Sequence, residues 1–143
     1  METFMQPTAP AVRVSKKMLW AGRILSSLAV LFLIFDSVIK LVKPAPVVES
    51  FARLGYPESL ALGIGVLEIV CTIIYMIPRT SIPGAILLTG FLGGAIATHL
   101  RIGDPFPTHV LFPTYVGLLV WGGLFLRDGQ LRALIRLRKG EAA

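Results

Sequence analysis

The chain has 143 residues, of which 55% are hydrophobic and only 15% charged, whereas soluble domains carry nearer a quarter charged. A domain this short leaves much of its surface exposed, so the composition excludes an ordinary water-soluble enzyme and a disordered tail and points to lipid. Lys and Arg outnumber Asp and Glu by 14 to 8, a net charge of +6. The basic residues flank apolar runs, so the expected partner is the lipid bilayer rather than nucleic acid. The single cysteine, Cys71, excludes an internal disulfide, a CxxC redox pair and a thiolate zinc cluster.

Residues 1–18 carry Pro7, Pro10, Arg13, Lys16 and Lys17 with little periodicity, and are expected to form a disordered tail. A spanning helix takes about 20 mostly apolar residues. Four segments qualify, at about 19–41, 60–77, 82–100 and 110–126. The first reads as a retained signal anchor, because its apolar run is too long for a signal peptide and no small-x-small cleavage site follows. Pro44, Pro46, Pro57, Pro78, Pro83, Pro105, Pro107 and Pro113 bound these segments. Proline stops a helix but is tolerated in its first turn.

Between the first two spans, Val47, Val48, Phe51 and Leu54 share one helical face, and Gly55 follows as a C-cap. That pattern predicts a short amphipathic helix on the mouth of the bundle. The short link Pro78–Ser81 makes the second and third spans a tight hairpin. In the basic tail, residues 127–143, Leu131, Leu134 and Ile135 oppose Arg132, Arg136 and Lys139, which predicts a helix at the membrane surface. The expected fold class is all-α, an integral membrane four-helix bundle with a short amphipathic helix in the first outer loop. Ten basic residues fall on the side of the termini and four on the other. The positive-inside rule then places both termini in the cytoplasm, and the cell inner membrane is the expected location.

Stripes of small and polar residues at helical spacing predict the inward faces. They are Gly22, Ser26, Ala29, Leu33, Asp36 and Lys40 in the first span, and Ala61, Gly65, Glu68, Thr72 and Tyr75 in the second. In the third they are Ile86, Gly90, Gly94, Ala97 and Arg101, with Gly90 and Gly94 forming a GxxxG. Ionisable groups inside a bilayer are costly and normally find partners. Asp36, Lys40, Glu68, His99, Arg101 and His109 all fall in the outer half, where they are expected to gather in a polar pocket roofed by the first loop. Asp36 and Lys40 are four apart and can neutralise each other. Glu68 has no basic neighbour within a turn of its own sequence. It is expected either to be protonated and hydrogen-bonded across helices, or to pair with Lys40, Arg101 or a histidine. No metal site, nucleotide fingerprint or nucleophile triad is expected.

Several stretches resemble the DoxX-like family of small membrane proteins. They are Phe35-Asp36-Ser37-Val38-Ile39-Lys40-Leu41, Leu54-Gly55-Tyr56-Pro57 with Gly63, Leu67 and Glu68, the run from Gly93 through His99 and Arg101 to Gly103-Asp104-Pro105, and Trp121-Gly122-Gly123 with Arg127-Asp128. The resemblance runs from about Leu19 to Leu134. It implies a four-helix bundle of similar size and association with membrane redox complexes, such as a quinol-linked oxidase or thiosulfate:quinone oxidoreductase system. It marks Asp36, Lys40, Glu68, His99 and Arg101 as ligand-binding or proton-relay candidates and assigns no catalytic residue. The expected function is therefore a redox-system subunit without an intrinsic cofactor, holding a quinone or other lipophilic ligand in the outer-half pocket, with redox-complex partners or a second copy of itself. The alternatives are a small proton-coupled transporter and a non-catalytic assembly subunit.

Overall fold

A computed structural model describes residues 13–140, and side chains through residue 136 within the last helix. The described chain is all-helical: α1 (Lys16–Val42), α2 (Ala45–Arg53), α3 (Ser59–Met76), α4 (Ser81–Arg101), α5 (Phe112–Arg127) and α6 (Gly129–Gly140). A 3-10 turn, Pro78–Thr80, precedes α4, and a π-helical turn, Phe106–Val110, precedes α5. Four helical segments are long and apolar enough to cross a membrane: Lys16–Val42, Ser59–Met76, Pro78–Arg101 and Phe106–Arg127. The chain is thus a multi-pass membrane protein.

The expected tail, 1–18, is only partly described. Residues 1–12 lie outside the described region, whereas Lys16, Lys17 and Met18 already belong to α1. The helix starts early because Ser15 caps it, its hydroxyl accepting from the Met18 amide at 3.3 Å. The fourth span also starts early, at Phe106, but opens with a π-helical turn. Its α-helix begins at Phe112, with Pro113 in the first turn, so His109 lies in the π-helical turn before it.

α1 packs on α3 and α5, and α4 packs on the same two helices, so the four spans close into a ring. The core runs through Ala29, Leu33, Tyr75, Ala85, Leu88, Val120 and Leu124. Leu31, Phe35 and Leu118 point outward and are about two-thirds exposed, as lipid-facing side chains of a spanning bundle would be. α1 and α5 touch backbone to backbone: a Cβ on Gly22 would lie 2.8 Å from the Gly123 carbonyl. Small residues permit that approach, and in lipid close packing rather than hydrophobicity drives helix association.

The expected inward stripes hold for two helices and fail for the third. In α1, Gly22, Ser26, Ala29 and Leu33 are buried while Asp36 and Lys40 are partly so, and in α3 Ala61, Gly65, Glu68, Thr72 and Tyr75 are buried. In α4 the buried face is Ser81, Gly84, Ala85, Leu88 and Leu92. Ile86, Gly90, Gly94, Ala97 and Arg101 are exposed, and a Cβ on Gly90 or Gly94 would meet no atom within 4 Å. Lipid is as apolar as leucine, so a glycine stripe does not have to face a helix of the same chain.

The amphipathic helix of the first loop is present as α2, with Phe51 buried. α6 is present as well, but Arg132 departs from the expected polar face. It is 7% exposed and folds back on the bundle, with its guanidinium donating to the Leu126 carbonyl at 3.2 Å and lying 5.9 Å from the centre of the Phe125 ring.

Candidate functional site

The five candidate residues separate into two clusters at the end of the bundle remote from the termini. Asp36, Lys40 and Glu68 form one, between α1 and α3. Lys40 donates to Asp36 Oδ2 one turn earlier on its own helix, and to Glu68 Oε2 at 2.7 Å. Of the partners expected for Glu68, Lys40 is the one it meets. The two helices can bring these groups together because α3 carries Gly65 at the crossing. A Cβ there would stand 3.1 Å from both the Lys40 Cβ and the Ser37 carbonyl.

Glu68 lies about 14 Å along the helix axis from the start of α3. Its side chain is 1% exposed, against 15% for Lys40 and 29% for Asp36. Its second oxygen, Oε1, has no hydrogen-bond partner among the described residues. An ammonium has three donors, and those two carboxylates account for two of them. The Phe91 ring of α4 stands 5.5 Å from Lys40 Nζ. Fully ionised, the three groups carry a net charge of −1; one added proton makes them neutral. The arrangement can therefore hold a proton, offer one hydrogen-bond donor, and set an aromatic face beside it.

His99 and Arg101 belong to the second cluster, which is built from two helix ends. α2 and α4 each finish in a Schellman motif. Gly55 takes φ +75° and Gly103 φ +72°, a left-handed backbone that glycine adopts without strain. In α2 the Gly55 amide donates to the Ala52 carbonyl and the Tyr56 amide to Phe51. In α4 the Gly103 amide donates to Leu100 and the Asp104 amide to His99. The side chains flanking such a motif meet one another. In α2 they are the Phe51 and Tyr56 rings, 6.3 Å apart; in α4 they are His99 and Asp104, joined from Nδ1 to Oδ2 at 2.6 Å.

The two ends also clasp each other. Arg53, last in α2, donates to both Asp104 oxygens at 2.6 and 3.3 Å. Arg101, last in α4, donates to the Leu54 carbonyl and lies 5.7 Å from the Tyr56 ring centre. Tyr56 adds a 2.9 Å hydrogen bond to Thr98. The His99 hydrogen bond, and then the Arg53 guanidinium, hold the Asp104 carboxyl below the usual carboxylate range, although burial opposes them. His109 stands beside His99, ring centres 5.8 Å apart, and its Nδ1 meets the Thr108 hydroxyl at 2.9 Å.

His99 and Arg101 thus hold the roof, and the single pocket expected from the sequence is a buried triad with a separate clasp. The roles of Arg53 and Asp104 are not visible in hydropathy. The available signal is local: a carboxylate directly after a C-terminal glycine and five residues after a histidine. Tyr75 is a further buried polar centre, its hydroxyl placed 2.9 Å from Ser26 Oγ and donating to the Val120 carbonyl at 2.8 Å. It ties α3 to α1 and α5.

A family model described as the DoxX-like family matches residues 24–123. The match spans the triad and both helix ends of the clasp. The chain matches no curated protein and no solved structure.

Proposed function

The chain belongs to the DoxX-like family of proteins, and on that premise we propose that the Asp36–Lys40–Glu68 triad serves a quinone or a similar lipophilic hydrogen-bond acceptor, and that the protein acts as a subunit of a membrane redox system. The observation that carries this reading is Glu68 itself: a 1%-exposed carboxyl with one oxygen on Lys40 and the other without a partner among the described residues. An orphaned polar atom in a membrane interior is costly unless a ligand or a proton answers it.

A quinone carbonyl accepts hydrogen bonds. Lys40 has a donor for it, the Phe91 face suits a flat ring, and Glu68 can pass on the proton that accompanies reduction. Electrons come from a partner redox protein. The excess of basic residues at the terminal end supports reading that end as cytoplasmic under the positive-inside rule; on that reading the triad belongs to the outer half of the inner membrane.

Mass spectrometry of organic extracts tests this, with wild type beside Glu68→Gln, both purified in mild detergent. A quinone or other lipophile near one per chain in wild type, and about tenfold less in the variant, is the expected result. Equal or absent enrichment in two equally folded proteins overturns the ligand site. A second reading, an assembly subunit, draws on the way Lys40 ties α1 to α3. Under that reading Glu68→Gln, which still offers Lys40 an acceptor but carries no titratable proton, remains folded and supports the activity of the complex.

A further inference from the structure

At the terminal end of the bundle lies a cleft of about 510 Å³ that the triad does not involve. Three arginines line it from three different places in the chain: Arg23 of α1, Arg79 of the 3-10 turn, and Arg127 at the end of α5. Asp128 is the one acidic residue lining it, so the ionisable lining carries a net charge of +2. One oxygen of the Asp128 carboxylate, Oδ1, caps the start of α6, accepting from the Gln130 and Leu131 amides at 2.8 and 3.2 Å. Among the described residues, none of the three arginines has a salt-bridge partner.

Arg127 is held in place rather than free to swing. Its guanidinium lies 5.2 Å from the Tyr75 ring centre and donates to Ser81 Oγ at 3.3 Å. Ser81 is 2% exposed and donates to the Tyr75 carbonyl at 2.8 Å. Tyr75 is in turn fixed through its hydroxyl to α1 and α5. A partly buried guanidinium without a carboxylate lacks compensation, and its fork of donors matches phosphate in two-point geometry.

The cleft also sits at the right depth. Arg79 and Arg127 mark the ends of spans, and Trp20, 62% exposed, stands beside Arg23 where an interfacial aromatic is expected. The apolar side chains of Leu19 and Leu124 complete the lining, which suits the junction of a headgroup with its chains.

We propose that this cleft binds the phosphate group of an anionic ligand, gripped by Arg23, Arg79 and a pre-set Arg127. The chemistry is shared by an anionic phospholipid headgroup and by free phosphate, and the test separates the two. Full-length protein in mild detergent is titrated, with native mass spectrometry as the readout, against short-chain phosphatidylglycerol, short-chain phosphatidylcholine and inorganic phosphate. The variants are Arg23→Gln/Arg79→Gln and Arg23→Lys/Arg79→Lys. Both positions are exposed, so the fold is retained, and an unchanged melting temperature verifies it.

Saturable phosphatidylglycerol binding, about tenfold tighter than phosphatidylcholine and weakened about tenfold or more by the glutamine pair, supports a lipid headgroup site. Inorganic phosphate binding with the same sensitivity to the glutamine pair supports the site with a soluble ligand. Full rescue by the lysine pair overturns the site, because it reduces the effect to diffuse surface charge. So does binding of every probe that is indifferent to the variants.

Discussion

At the end of the bundle remote from the termini, Lys40 is shared by two carboxylates and Asp104 is shared by Arg53 and His99. At the terminal end, Arg127 and Arg132 meet aromatic faces, a hydroxyl, a thioether and a carbonyl, and no described carboxylate. The first kind of site is internally balanced, so each charge depends on its partner and removing one strands another. The second kind leaves positive charge to be answered from outside the chain. The same amino acids therefore make a mutually dependent cluster at one end and a receptive one at the other.

The sharpest way to break this comparison is to neutralise one cation at each end. Lys40→Met strands Glu68 and Asp36 together, and unfolding in detergent should show a loss of about 3 kcal/mol. A loss below about 1 kcal/mol would mean that the triad is not interdependent. Gly65→Ala asks whether the crossing of α1 and α3 depends on close approach. The new methyl group meets Lys40 Cβ and the Ser37 carbonyl at 3.1 Å, and should cost about 1 to 2 kcal/mol by the same assay. Arg132→Met strands no carboxylate and gives up one carbonyl hydrogen bond, a weak thioether contact and an aromatic contact; the expected change is about 1 kcal/mol.

The smallest effect is a pH dependence. Asp104 is held below its ordinary value by His99 and Arg53. A carboxyl whose value is depressed on folding adds stability that is present above the unfolded value, about 4, and is lost as pH falls through the depressed one. Wild type should therefore lose melting temperature below about pH 4, while Asp104→Asn should show a shallower fall. Parallel curves would mean that the clasp contributes nothing to the acid limb.

Much of this was legible in the sequence, for reasons specific to each part. The four spans are written in hydropathy, and α2 in the spacing of Val47, Val48, Phe51 and Leu54. Glu68 stands out in the sequence because a carboxylate so far from either end of an apolar helix needs a partner, and Lys40 is one of the partners the sequence offers. The face of α4 was not legible. Its true inner residues, Ser81, Ala85, Leu88 and Leu92, repeat at the same spacing as the glycine stripe that faces outward. Periodicity alone gives a helix its faces but does not say which of them meets protein.

The roof escaped for another reason. Hydropathy places Arg53, His99, Arg101 and Asp104 all near span ends, yet which of them pair depends on where two left-handed glycines turn the chain. His99 and Arg101 were expected beside Glu68, but Gly103 carries Asp104 back to His99 while Arg101 reaches across to Leu54. The arginine cleft lies in segments that read only as basic flanks, because what holds Arg127 is an aromatic ring and a hydroxyl from other helices.

The reciprocal clasp of α2 and α4 has a consequence for biosynthesis. A chain is made and enters the membrane from its N-terminus. Lys40 precedes Glu68 by 28 residues, so the cation is synthesised before the buried carboxylate of α3 that it meets. Arg53, in contrast, waits 51 residues for Asp104, and the roof cannot lock until α4 has crossed and turned at Gly103. At the far end the triad therefore has all its partners before the roof has any of its cross-links. The carboxylate that would be costliest alone is made after its cation.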